Sequence, residues 1–330
     1  MRAPLRPSTP PTLSALVLAL LFAAQPAPAA APATRQAEAD AQVDRVLAGE
    51  GVGAAVSRLQ FLGMQGYAAG RLADAASAPS ERTRRDVAYA LSLLAAPEGE
   101  RALVRLARDP DGAVRMSAAQ GLGRLGRPHP EALLPLLADP TSGVRREAAR
   151  ALGALNDPRA GAALSAAARA EPDLDARAAM LVAVGQASDA RQASSLRPFL
   201  LSSSESTRLA AARGLVLLGD RAGRDYAKAL LGSQDRFVRR QGVSLFEGVP
   251  AARARPLLHP LLEDADRGLA AATARVLYQG GERAMLDWLV LASWNEKSSS
   301  ARLAIERELE PLHLSDEARR AALRRAGVAP

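Results

Sequence analysis

The sequence has no cysteine, only two lysines (Lys228 and Lys297) and 3% aromatic residues. Without cysteine there is no disulfide framework, no thiolate metal site and no thiol for a lipid anchor. Aromatic side chains this scarce leave few platforms for stacking bases, so no nucleic-acid partner is expected. The three histidines, His129, His259 and His313, fall in no HExxH-type spacing, which gives no metal site. The stretch GEGVG at 49–53 has no strand pattern before it and no basic P-loop residue after it, and no GxSxG occurs. No two carboxylates are marked out as acid and base. The chain therefore reads as a non-enzyme with no cofactor.

What is abundant is Ala, Leu and Arg within a 48% hydrophobic composition. These are the strongest helix formers, and β-branched residues are few, so the expectation is an all-α chain. The net charge of +8 rests almost wholly on arginine, a bias that source-genome composition also produces, so it is a weak sign of anionic partners. The amino terminus differs from the rest. Arg2 and Arg6 precede the apolar run Leu13 to Ala24, and small residues follow at Ala27 to Ala29. This is the order of a secretory signal peptide, residues 1–29, with a run too short to span a bilayer. The expectation is an exported protein, periplasmic or secreted, with no membrane span after cleavage and residues 30–38 as a flexible linker.

From residue 64 to 312 the chain repeats itself. With Arg115 as origin, equivalent positions fall at Arg84, Arg115, Arg145, Arg177, Arg208, Arg239, Ala270 and Arg302, spaced 30 to 32 residues apart. A constant period of this size marks an array of supersecondary units. Seven places after each origin stand Leu91, Leu122, Leu152, Val184, Leu215, Phe246, Leu277 and Leu309, all large and apolar. Four places after it the residues are again apolar, except for Glu306. At 100° per residue these positions gather on one side of a helix. A turn, often acid-Pro as at Asp109, Asp139 and Glu171, separates it from a preceding apolar segment, so each unit is helix, turn, helix. One such pair cannot bury its apolar stripe alone, so neighbours must cover it.

Acid-Pro, then "VR", then "AAxALGxL" resembles the HEAT repeat, particularly its short bacterial variety. The resemblance implies a right-handed α-α superhelix, a solenoid of about eight stacked pairs whose second helices line the concave side. It also implies a ladder of acid–arginine pairs between repeats, for which Asp109, Arg115, Asp139, Arg145, Glu171, Arg177 and Asp264 match. Ser202, Ser233 and Ala78 in place of the acid, and Ala270 in place of the arginine, mark expected gaps. Residues 39–63 are expected to form an N-terminal cap and 313–330 a C-terminal cap helix. Trp288 and Trp294 are expected in the core.

The helix face opposite the apolar stripe carries Arg85, Arg124, Arg146, Arg150, Arg213, Arg240, Arg275 and Arg307 against Asp86, Glu147, Glu247 and Glu310. That excess suits an acidic partner, and an array of this kind suits an extended protein or peptide. The functional expectation is a monomeric binding scaffold, with an accessory or lyase-like helper of an enzyme as the alternative.

Overall fold

The computed structural model describes residues 32–187 and 190–328. Among them there are helices and 3-10 turns and no strand. In chain order the helices are α1 (Pro32–Ala48), α2 (Val52–Phe61), α3 (Gln65–Asp74), α4 (Glu81–Leu94), α5 (Glu100–Leu106), α6 (Gly112–Leu125), α7 (Pro130–Leu133) and α8 (Ser142–Ala154). They continue as α9 (Gly161–Ala170), α10 (Leu174–Ala187), α11 (Ala193–Leu196), α12 (Glu205–Leu218), α13 (Arg221–Leu231) and α14 (Arg236–Ser244). The array closes with α15 (Ala251–Leu258), α16 (Arg267–Gln279), α17 (Ala284–Asn295), α18 (Ser299–Leu309) and α19 (Asp316–Arg325). Helices α3 to α18 form eight pairs, with α1–α2 and α19 as caps. The signal-peptide reading lies outside the described residues. The reading of 30–38 as a linker is corrected for residues 32–38, which form the first two turns of α1; Ala39, Val43 and Val46 anchor that helix by burial against the first repeat.

The second helix of every pair starts at the same place, and the chemistry of the turn says why. Four residues before each origin stand Ser80, Asp111, Thr141, Asp173, Ser204, Asp235, Asp266 and Ser298. All but Thr141 accept a backbone N–H of the first helical turn through their side chains. These are the residue types that satisfy the orphan donors of a helix start.

The recurring arginine binds on both sides. On its own side, Arg84, Arg115, Arg145, Arg208 and Arg239 each donate Nη1 to the two carbonyls five and six residues upstream, as Arg115 does to Asp109 O and Pro110 O at 2.8 Å each. On the other side the Nε/Nη2 fork grips the acid of the next unit. Arg84 meets Asp109 at 2.6 Å, Arg115 meets Asp139 at 2.6 Å, and Arg145 meets Glu171 at 2.6 and 2.7 Å. Arg239 Nε lies 3.0 Å from Asp264 without hydrogen-bond alignment, while its Nη2 donates at 3.2 Å. The ladder therefore runs between repeats: the acid six residues upstream of an arginine offers it a carbonyl and gives its carboxylate to the previous unit.

Arg177 is the exception among the expected ladder residues. Ser202 offers it no carboxylate, so its Nε and Nη2 fold back on Glu171 O. Where Ala270 leaves no arginine, Arg267 reaches Glu296 instead, at 3.5 Å. Hydrogen bonding by Arg145 holds the Glu171 carboxyl below its usual range; burial opposes this and is the weaker effect. For Asp139, burial pulls upward, but the Arg115 guanidinium and the Thr141 N–H together win.

Successive second helices pack directly on one another from α4 to α12 through small residues, Gly121, Gly123, Ala151, Gly153, Ala183, Gly185 and Gly214. At the tightest point a Cβ on Gly185 would stand 2.5 Å from Gly214 Cα. The first helices touch one another far less, so the second-helix row is the more tightly drawn of the two. After α12 the seam residues become Leu245, Glu247, Val276, Tyr278 and Glu308, and α12 barely touches α14. The core divides at the same helix: Ala210, Ala211 and Leu215 join the N-terminal cluster, Ala212 and Val216 the C-terminal one.

Candidate partner-binding face

The eight expected arginines do lie along the second helices, and seven of them are engaged by protein groups. Arg85 makes a bidentate pair with Asp111 at 2.6 and 2.9 Å and also meets Glu81 at 2.5 Å. The Arg85 hydrogen bonds hold Asp111 down at about 2 and raise Arg85 itself. Arg124 donates to Ser92 O at 3.0 Å. Arg146 and Arg150 share Glu147, at 3.4 and 2.9 Å.

Beyond the division of the core the charges form one network. Glu247 takes Arg213 at 3.3 Å and Arg275 at 3.4 Å, while Glu308 takes Arg275 at 2.7 Å and also Arg240. Glu308 is buried, on the sixth position after its origin, where the preceding units carry Ala, Gly, Leu or Val. Arg275 is pulled down by burial, but Glu308 and Glu247 outweigh this and raise it. The excess of arginine is thus largely neutralised inside the face.

Arg307 alone of the eight has no partner among the described residues, and it is exposed. It lines a hollow of about 320 Å³ with Arg236, Phe237, Arg240, Asp266 and Glu308. Arg236 makes no ion pair there and instead covers the exposed Phe237 ring at 4.8 Å from its centroid. Sequence reasoning passed over Arg236 and Phe237; their signal was an aromatic two places before the origin, where the other units carry small or polar residues.

The misfit Glu306 has a clear partner. It accepts from Ser293 Oγ and, at 2.8 Å, from Arg319 Nη1, which ties α19 to the last pair. Trp294 is corrected from core to surface, 53% exposed, because it sits in the last turn of α17 on a cleft between α17, α18 and α19. His129 lies between Glu100 and Glu131, and His259 pairs with Glu282 at 3.1 Å, so both link charges between neighbouring turns. Among the described residues no group of acids and histidines is placed to hold a metal, and no helix is long and apolar enough to cross a membrane.

Family comparison matches residues 69–136 and 129–185 to the model of HEAT repeats. The chain carries HEAT repeats. No curated protein matches it. Among solved structures, the complex of CpcE and CpcF of phycocyanin lyase from Nostoc sp. PCC7120 is similar at 19% identity and a TM-score of 0.47, over 73% of this chain and 93% of that one. An engineered protein is similar at 18% identity and a TM-score of 0.42, over 89% of this chain and 88% of the other. HEAT repeats are thus present in the part of the array where the acid-Pro turns and the ladder are most regular.

Proposed function

We propose that this protein is an exported, non-enzymatic scaffold that binds an extended, acidic protein segment along its second-helix face. With helices about 8–10 Å apart, eight stacked pairs offer a surface roughly 60 Å or more long, a scale that suits a chain better than a small molecule. The observation that carries the reading is the hollow at Arg307. Two guanidinium groups without carboxylate partners among the described residues, Arg307 and Arg236, border an exposed phenylalanine on a face whose other arginines are mostly neutralised. An acidic residue next to an apolar one fills such a place with both charge and area. Export rests on the order of the first 29 residues.

The test is affinity capture from an envelope fraction, comparing the natural chain with an Arg150→Glu/Arg236→Glu/Arg307→Glu variant. Arg213, Arg240 and Arg275 are left in place because Glu247 and Glu308 use them structurally. Loss of one stoichiometric partner with the variant supports the scaffold reading; equal capture by both forms overturns it. If the captured partner is an enzyme whose turnover changes on adding the natural chain, the role becomes the accessory one.

A further inference from the structure

We infer that Arg208 is an open carboxylate socket, built like a ladder rung but supplied with no acid by the described residues. Its own-side contacts match those of the working rungs, with Nη1 donating to Ser202 O at 2.7 Å and Ser203 O at 3.0 Å. In Arg84, Arg115, Arg145 and Arg239 the same anchoring turns the Nε/Nη2 edge onto the carboxylate of the following unit. At Arg208 the following unit has Ser233, and no acceptor meets that edge among the described residues.

The serine explains why the socket keeps its shape. The acid of a working rung does two things: it accepts the backbone N–H two residues on, as Asp109 does from Asp111 at 2.9 Å, and it binds the arginine. Ser233 retains the first bond, accepting from Asp235 N at 3.1 Å, and lacks the second. The turn is preserved while its carboxylate is missing. Asp235, the nearest acid in sequence, is occupied in capping the N–H of Phe237 at 2.7 Å. Arg177 shows that an empty rung need not stay open, because its fork folds back on Glu171 O, and Arg302 does the same on Glu296 O. Arg208 alone combines the working anchor with a vacant fork.

A planar guanidinium with two aligned donors selects a carboxylate and binds it bidentately. The socket is half-buried and lies where α12 and α14 part, so a group from outside can reach it. Leu201, 89% exposed, precedes the anchoring Ser202, and Phe237, 65% exposed, follows Ser233 by one turn. The occupant is therefore an Asp or Glu side chain of a partner protein with an apolar neighbour. This rests on the scaffold reading for the partner's class, although the socket itself can be tested on the isolated protein.

The probe is a fluorescent, end-blocked peptide copying residues 106–113 of this chain, LARDPDGA, which carries the acid-Pro turn that working rungs bind. The natural protein is expected to bind it saturably. Ser233→Asp, which supplies the acid internally, is expected to weaken binding at least tenfold while raising the melting temperature. Ser233→Thr, which keeps the hydroxyl that accepts from Asp235 N and adds no carboxylate, is expected to bind as the natural chain does, and Arg208→Gln to weaken binding as Ser233→Asp does. No peptide binding, equal binding by all forms, or a lowered melting temperature for Ser233→Asp overturns the socket. Peptide binding that behaves as expected beside failed partner capture leaves the socket standing and removes the scaffold reading.

Discussion

Arg145→Ala is the sharpest test of what holds neighbouring repeats together. Arg145 makes four hydrogen bonds, to Glu171 at 2.6 and 2.7 Å and to the carbonyls of Asp139 and Pro140 at 2.8 and 3.1 Å. Its side chain is 14% exposed and that of Glu171 only 2%. Removing one partner of a buried pair costs about 3–5 kcal/mol, chiefly by leaving the other charge unpaired. The guanidinium lies at the helix ends close to water, which favours the lower figure, about 3 kcal/mol. For a chain of about 300 folded residues that is a fall of roughly 5 °C in melting temperature.

The double variant Arg145→Ala/Glu171→Ser puts at 171 the serine that the chain itself carries at Ser202 and Ser233, and removes the arginine as well. It is expected to recover about 1–2 kcal/mol, since no orphaned carboxylate remains. The sign with pH follows from Glu171, whose folded-state value is lowered mainly by Arg145. Its stabilisation is complete above the ordinary glutamate value of about 4.3 and is lost as pH falls through the lowered value. The gap between natural and Arg145→Ala proteins in denaturant melts should therefore narrow on acidification below about pH 4. A loss under about 1 kcal/mol, the range of exposed ion pairs, or a gap independent of pH would refute the reasoning.

Three further outcomes are expected. Gly185→Ala places a methyl 2.6 Å from Gly214 O; overpacking of about 1–3 kcal/mol outweighs a helix-propensity gain of up to about 1 kcal/mol, whereas Gly53→Ala, with open space around it, should be neutral or stabilising in the same melts. Thr207→Val should raise stability by about 1 kcal/mol, because the Thr207 hydroxyl is fully buried without a hydrogen-bond partner among the described residues; a loss would show that the hydroxyl finds an acceptor. Glu308→Ala takes from Arg240 and Arg275 their shared buried acid, and a destabilisation of about 2–4 kcal/mol is expected in chemical denaturation.

The array was legible because its signal is redundant: eight apolar residues at one position of the period define the stripe whatever happens at any single one. The caps were equally present, as an unbroken column of Ser, Thr and Asp four places before each origin, but reading them requires looking down the columns of polar turn residues. The ladder's residues were recognisable, while its connectivity was not. An acid six places upstream of an arginine is near it in sequence, yet the turn points the carboxylate at the preceding unit, and only the three-dimensional stack shows that Asp109 belongs to Arg84. The binding face was hardest. Position on the helical wheel identified which arginines share a side, but whether each is free depends on acids from other repeats. Glu308 is separated by 68 residues from the Arg240 it neutralises, so no local pattern reports the pair.

Three changes coincide around one helix, α12. The ladder acid becomes serine on both of its flanks, at Ser202 and Ser233. The seam residue six places after the origin goes from Gly214 in α12 to Leu245 in the next unit, and the apolar core divides. Each alters the same physical quantity, the grip of one repeat on the next. A glycine seam lets second helices approach to backbone contact, and a bidentate rung fixes their register. Replacing both with bulky side chains and a serine widens the spacing and leaves the joint to first-helix packing and to side-chain contacts such as Arg213–Glu247 and Gln241–Glu205. Where internal contacts are withdrawn, donors and apolar side chains become available to something else, and Arg208, Leu201 and Phe237 are among those released. On the scaffold reading, the place where the repeat pattern weakens is therefore the place where a partner has most to bind, flanked by the regular N-terminal units.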